Sequence, residues 1–426
     1  MPTVLVVGSG GREHALVDVL RRSASQPRVL CAPGNAGTAC NLDVAATDVE
    51  GLVEAAKRES VDLVVVGPEA PLVAGLADRL RAEGVLVVGP CAAAAQLEGS
   101  KAFSKAVMDE AGVPTARWGR FDEAQAAIDF ARSLGPRSVV KADGLAGGKG
   151  VVVATSLAEA ESAIRDNLSG AFGAAGKTVV VEEFLEGEEL SVIALCDGQR
   201  VAVMAPSQDH KRIRDGDEGP NTGGMGAYSP APKGTPELLA SVQRDCLMPI
   251  MRVMKDRGAP FSGFLYAGIM LTADGPKVLE YNVRFGDPEA QAILPRLEED
   301  AYELFRAAAQ GNLPERALAF SQQAAVTVVL AAAHYPAKPQ VGDAIKGLDE
   351  AAAVPGVRIF HAGTRQRGDE VETCGGRVLG ITGMGDDLEA AARAAYTASS
   401  KVCWHGLQYR KDIAYRALGR SMGEEV

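Results

Sequence analysis

Val139-Val140-Lys141-Ala142-Asp143-Gly144-Leu145-Ala146-Gly147-Gly148-Lys149-Gly150 joins one β-branched run to another, Val151-Val152-Val153, across a glycine-rich loop. A Walker-type phosphate loop is excluded. Gly150 stands where the Mg²⁺-binding hydroxyl is required, and a strand rather than a helix follows. Two antiparallel strands with one lysine at the base of the loop and another at its tip suit a flap over a polyphosphate. Lys141 is placed to neutralise the inner phosphates, while Gly147, Gly148 and Lys149 form a tip able to close over the terminal phosphate and exclude water. A purely structural hairpin has no use for two lysines among so many glycines.

Downstream, Val278-Leu279-Glu280-Tyr281-Asn282-Val283-Arg284 reads as a strand, followed by Phe285-Gly286-Asp287-Pro288-Glu289. Glu280 and Asn282 lie two apart and therefore project from one face. Paired oxygen ligands of this kind suit Mg²⁺, which takes its remaining ligands from water and substrate phosphates. Arg284 continues on that face as a clamp for a carboxylate or phosphate. Between the flap and this strand, Val180-Val181-Glu182-Glu183-Phe184 and Glu186-Gly187-Glu188-Glu189 form an acidic strand end and a second acidic strand start, able to present backbone groups to a base and a carboxylate to a sugar.

The first hundred residues have another texture. Short β-branched runs at 3–8, 28–32, 63–67 and 85–89 end at or near glycine and alternate with helical patterns, as at 12–22 and 52–59. Strand, helix, strand in succession predicts an open, doubly wound parallel sheet. Its first turn, Gly8-Ser9-Gly10-Gly11-Arg12-Glu13-His14, carries Glu13 at the third glycine position of a dinucleotide fingerprint, and no acidic residue ends the second strand. Nicotinamide binding is therefore disfavoured. What survives is an anion pocket built from the backbone N–H groups of Gly10, Gly11 and Arg12 at a helix start. Turns at Gly34-Asn35 and at Glu69 also fall at strand C-termini, where open sheets bind ligands.

The chain has 426 residues, too many for one core, and a net charge of −11 that disfavours nucleic acid and anionic lipid as partners. Seven scattered cysteines with no C-x-x-C pair read as reduced thiols. No apolar stretch is long enough to span a bilayer, so a cytoplasmic protein is expected. Three parts are predicted: 1–100, 101–323 and a small α+β domain at 324–426. Residues 205–235 are expected to form a long functional loop without regular structure, and 236–255 a single helix.

Taken together, GSGGREHAL at 8–16, KADGLAGGKGV at 141–151, the stretch at 207–232, LEYNVRFGDPE at 279–289, and GTR with GGRVLGITG at 363–383 resemble the ATP-grasp superfamily. Within it they look like the phosphoribosylamine–glycine ligases of purine biosynthesis. The resemblance covers essentially the whole chain. It implies a phosphoribosylamine-binding first domain, a split ATP-grasp unit with a mobile subdomain at about 121–190, and a C-terminal domain. It further implies that Lys101 and Lys141 hold ATP phosphates under the 144–150 loop, and that Glu182 and Phe184 meet adenine through their backbone. Glu189 would take the ribose, and Glu280 and Asn282 would bind Mg²⁺ or Mn²⁺. The strand at 267–271 has no carboxylate, which leaves a second ion's coordination open. Phosphoribosylamine, glycine and ATP are the partners implied, for a monomer or weak homo-oligomer.

In the long loop, Asp209, His210, Lys211, Arg212, Asn221 and Thr222 are expected to line the junction between ATP and the other substrates. Arg284 is assigned to the glycine carboxylate and Asp209 to an amine. Two alternatives remain open at this stage. One is a sibling ligase using formate or bicarbonate, which the long loop disfavours; the other is a non-catalytic nucleotide-binding protein, which intact Lys141, Glu280 and Asn282 disfavour.

Overall fold

The computed structural model describes residues 1–145, 150–171 and 177–424, so the expected flap-tip residues Gly147, Gly148 and Lys149 lie outside the described residues. Strands Thr3–Gly8, Arg28–Pro33, Leu63–Val66 and Leu86–Val88 form a parallel sheet in the order second, first, third, fourth. Its two-residue alternation decides the layers. Leu5 and Val7 pack with Leu52, Val53, Leu76 and Leu80 on one face, and Val4 and Val6 with Leu16 and Leu20 on the other. Leu304 and Phe305 of the helix Ala301–Ala309 complete that second face from far along the chain.

The middle of the chain builds two antiparallel sheets. One contains Trp118–Phe121, Val179–Glu183, Ser138–Ala142 and Val151–Ala154. Helices Ala124–Leu134 and Leu157–Asp166 back it, and Ile128, Val140, Ile164, Val179 and Val181 form an apolar cluster separate from the rest of the core. The other sheet contains Val201–Val203, Glu188–Asp197, Ser262–Thr272 and Gly275–Asn282. In it Gly268 pairs with Glu280 but Ile269 pairs with Val278, so Leu279 is an extra, bulged residue.

Two expectations are corrected. The helix at 236–255 is Pro236–Val242 and Met248–Asp256 joined by a π-helical turn, Gln243–Leu247. Pro249 has no N–H to give to the preceding turn, so the helical ladder shifts there. The 205–235 segment is not structureless. It contains strands Gln208–Asp209, Arg212–Arg214, Glu218–Asn221 and Gly226–Ser229. Strands of two to four residues carry no readable period, which is why the sequence hides them.

Gly226–Ser229 pairs with Ala324–Ala331, a partner about a hundred residues away. The resulting sheet runs Gln208–Asp209, Gly226–Ser229, Ala324–Ala331, Arg377–Gly385, Val357–His361. Helix Leu388–Ser399 lies against it where Gly383 allows close approach, since a Cβ there would sit 2.2 Å from the Ala391 carbonyl oxygen. The long loop is thereby woven into the C-terminal sheet. Among the described residues all seven cysteines are free, and no helix is long and apolar enough to cross a membrane.

Candidate active site

The flap's first strand delivers Lys141 to a buried carboxylate. Lys141 Nζ lies 2.7 Å from Glu182 Oε1, and Lys105 Nζ of the helix Lys101–Ala111 lies 2.8 Å from Glu182 Oε2. Burial pushes Lys105 down to about 8, against the pull of Glu182. Burial also works against ionised Glu182, but the two lysines hold its carboxyl below the usual range. The three side chains thus carry one net positive charge, in a position only 2–7% exposed, where charge is poorly screened. Lys141 also donates to the carbonyl of the bulged Leu279 at 3.2 Å, which links the flap sheet to the strand carrying Glu280. Lys101 donates to the Gly144 carbonyl at 2.8 Å, at the root of the flap. Phe184 lies under the guanidinium of Arg137, 4.4 Å from its ring centre.

Beyond the bulge the register is regular, Gly268 opposite Glu280 and Tyr266 opposite Asn282, so Glu280 and Asn282 lie on one face. Burial alone would raise the Glu280 carboxyl, but Lys141, Lys211, Lys101 and Arg284 hold it down and ionised. An ionised carboxylate beside an amide oxygen fits a hard divalent cation that completes its shell with phosphate and water oxygens. Among the described residues no three His, Cys, Asp or Glu side chains form a self-sufficient metal cage.

Arg284 is held by Glu98 at 2.9 Å and by Glu69 at 3.5 Å, and it donates to Asn282 Oδ1 at 3.3 Å. Its buried Nε is the atom facing Glu69 Oε2 at 3.5 Å, too loosely aligned for a hydrogen bond. Lys211 is paired with Glu189 at 2.5 Å. Asp209, beside it, has its carboxyl pushed up to about 7 by burial and by Glu289 and Glu189, against the pull of Lys211. Glu289 accepts from Ser191 Oγ at 2.9 Å, and Ser191 meets Tyr266 Oη at 3.0 Å.

Two loop residues serve the loop itself. Thr222 Oγ1 donates to the Lys211 carbonyl, and Asn221 pairs with Arg212 across the short hairpin. His210 departs from its expected place at the substrate junction. It is buried between Tyr228 and Tyr415, accepts from the Ala414 N–H at 3.0 Å, and is pushed down to about 3 by burial and neighbouring arginines. That environment keeps it neutral.

The first-domain turns meet the C-terminal domain across a cavity of about 750 Å³. Ser9, Gly10, Gly34 and Asn35 line one wall, Thr364, Arg365, Gln366 and Arg377 the other, with Asp287 at the junction. Asn35 fixes this wall by donating to the Ser9 and His361 carbonyls at 2.9 and 2.8 Å. Gly34 has φ +73 and no room for a side chain, because a Cβ would meet Asn41 Oδ1 at 2.2 Å. The Gly10 N–H is taken by Glu13 at 2.5 Å, and Glu13 also binds Arg12 at 2.6 Å. Gly11 opens the helix Gly11–Arg21, packed near Gln291. The chain's own carboxylate therefore occupies part of the anion pocket expected at Gly10–Arg12.

Three domain models of phosphoribosylglycinamide synthetase match the chain: the N domain over residues 2–98, the ATP-grasp (A) domain over 99–290 and the C domain over 325–416. The chain belongs to the phosphoribosylglycinamide synthetase family. It is 50% identical over 420 residues to the phosphoribosylamine–glycine ligase of Brucella melitensis, with 98% of each chain covered. It is 51% identical over 426 residues to the enzyme of the same name from Xanthomonas axonopodis pv. citri, again with 98% of each covered. The crystal structure of phosphoribosylamine–glycine ligase from Thermotoga maritima superposes with a TM-score of 0.84 at 33% identity, covering 97% of this chain and 100% of that one.

In this member of the family, several residues of the site escaped sequence reasoning. Lys105 is an ordinary helix lysine until the strand register brings Glu182 beneath it. Glu98 ends a helix in alanine-rich sequence and becomes Arg284's counter-charge. Arg377 donates to the Gly223 carbonyl at 2.6 Å and the Asp287 carbonyl at 2.7 Å, joining loop, strand end and C-terminal sheet. The available signal was the GGRVLGITG stretch, whose lone arginine sits among glycines that leave it reach.

Proposed function

We propose that the chain ligates glycine to 5-phosphoribosylamine, forming glycinamide ribonucleotide, ADP and phosphate. A glycine carboxylate oxygen attacks the γ-phosphorus of ATP, the bond to the β-phosphate oxygen breaks, and ADP leaves from glycyl phosphate. The amine of phosphoribosylamine then attacks the acyl carbon, losing a proton, and phosphate departs with the electron pair of the C–O bond. Such chemistry needs charge neutralisation and alignment more than a protein nucleophile. The observation that carries the reading is the buried Lys105–Glu182–Lys141 group, whose Lys141 reaches the Leu279 carbonyl and holds down the Glu280 carboxyl, in a chain of this family.

Lys141, Lys105 and Lys101 receive the phosphates at the base of the flap subdomain. Its separate apolar cluster supports movement of this subdomain as a unit. Backbone groups at Glu182 and Phe184 take adenine and Glu189 takes the ribose. Glu280 and Asn282 would hold Mg²⁺ or Mn²⁺, which supplies charge neutralisation to the phosphates when bound. Arg284, whose Nε is only loosely paired with Glu69 at 3.5 Å, is the donor offered to the glycine carboxylate, and Asp209 with Lys211 orders the acceptor side. Gly10, Gly11, Arg12, Glu13, Gly34, Asn35 and Glu69 border the phosphoribosylamine end, with Asn221 and Thr222 bracing the loop.

The test is ADP release with Mg²⁺, ATP, glycine and freshly generated phosphoribosylamine, omitting each in turn. Turnover that requires all four and yields glycinamide ribonucleotide is expected. Turnover with formate or bicarbonate in place of glycine would move the assignment to a sibling ligase. Arg284→Lys is expected to raise KM for glycine at least tenfold while leaving ATP affinity within about twofold, because lysine cannot keep Glu98 and still present a second planar donor. An unchanged glycine KM would remove Arg284 from that role.

A further inference from the structure

Among the described residues the hairpin Arg212–Arg214 with Glu218–Asn221 belongs to no larger sheet, and an isolated two-stranded hairpin is marginal in water. Its tip is instead gripped by the segment 410–416. Arg410 donates to Asp217 Oδ1 at 2.7 Å and to the Arg212 carbonyl at 3.2 Å. Arg410 also forms a two-pronged pair with Asp412 at 2.7 and 2.8 Å, and both side chains are 0% exposed. Asp412 accepts from the Gly216 N–H at 2.8 Å, and Asp215 from the Lys411 N–H at 2.8 Å. Tyr415 Oη donates to Asp217 Oδ2 at 2.8 Å, and Arg416 pairs with the same oxygen.

A second observation singles out Asp217. Its φ is +53, directly after Gly216 at +69. A left-handed non-glycine residue is strained and persists only where its surroundings over-determine it. Here three side chains from one segment converge on its carboxylate. The base of the same hairpin carries Lys211, whose carbonyl accepts from the Thr222 N–H at 2.7 Å, and Asp209 lies two residues earlier.

We infer that Asp217 is a positioning residue for the ligation. By anchoring the hairpin on Arg410, Tyr415 and Arg416, it keeps Asp209 and Lys211 in place beside Glu189 and Glu289. This rests on the placement of Asp209 and Lys211 in the substrate site. The C-terminal segment, far from the phosphates in sequence, is on this account part of the catalytic apparatus without touching substrate.

Asp217→Asn is the variant of choice, because asparagine accepts the left-handed conformation while losing the charge and one of the two acceptor oxygens. It is expected to lower kcat about tenfold, while ATP still binds one per chain by calorimetry and KM for ATP stays within about twofold. Tyr415→Phe, which deletes one donor, is expected to lower kcat about threefold in the same pattern, and it carries the test if Asp217→Asn does not fold. An unchanged kcat, or a kcat that falls only in step with the nucleotide-binding stoichiometry, would overturn the inference. Asp209→Asn and Lys211→Met are measured alongside. If both turn over like the parent, it is the placement of that pair that fails. If they are impaired while the Asp217 and Tyr415 variants are not, the positioning role alone is lost.

Discussion

Lys141→Met is expected to lower kcat/KM for ATP-dependent ADP release about 10²–10³-fold and to leave the chain folded. The size follows from where the ammonium sits. Lys141 is 7% exposed, so the charge it presents to a phosphoryl group is screened by little water. Removing one preorganised donor from such a site typically costs about 3–4 kcal/mol of transition-state stabilisation. Folding survives because Glu182 keeps Lys105 at 2.8 Å, so the buried carboxylate is not left alone, and methionine fills a similar volume. Lys101→Met is expected to be milder, about tenfold, because Lys101 is half-buried and donates to the Gly144 carbonyl at the flap root. Steady-state ADP release with a thermal melt on each variant separates the two. A Lys141→Met enzyme within tenfold of the parent would mean that the phosphates are held elsewhere.

The same two lysines mark how far the sequence could be read. Lys141 was legible because it ends a β-branched strand at a glycine loop, a context in which a structural lysine has no purpose. Lys105 was not, because a lysine on an amphipathic helix is ordinarily solvated, and only the register of Val179–Glu183 against Ser138–Ala142 places a carboxylate under it. The parallel sheet was readable for a related reason. Its strands are buried on both faces and so are continuously apolar. The short strands of the 205–235 segment are too short to carry such a pattern, and the partner of Gly226–Ser229, Ala324–Ala331, lies about a hundred residues away.

Charge was also legible in kind but not in pairing. Arg284 could be read as a clamp, yet its present partners, Glu98 and Glu69, come from the first hundred residues. His210 stood beside Asp209 and Lys211 in the chain, but in an extended stretch neighbours point to opposite sides. One side faces Glu189 and Glu289 and the other the 410–416 segment. Alternation therefore sends His210 to Tyr228 and Tyr415 while its neighbours face Glu189.

Glu280→Gln is the second large effect expected, a loss of about 10²–10³-fold in kcat together with a shift of the Mg²⁺ dependence to higher concentration. Gln keeps the size and one oxygen but removes the charge that would draw a divalent cation. Glu280 is held ionised, against burial, by Lys141, Lys211, Lys101 and Arg284. Deleting it therefore does more than remove a ligand. Four cationic groups lose a shared counter-charge and repel an incoming divalent ion more strongly. Asn282→Ala removes a neutral oxygen and leaves that balance intact, so its loss is expected to be about tenfold, with a smaller shift in Mg²⁺ dependence. The contrast is the informative part. If charge balance dominates, the two variants separate most widely at low Mg²⁺ and the gap narrows as Mg²⁺ is raised. Equal losses at every Mg²⁺ concentration would mean that Glu280 and Asn282 act through strand geometry, and the cation would have to be sought at other oxygens of the site.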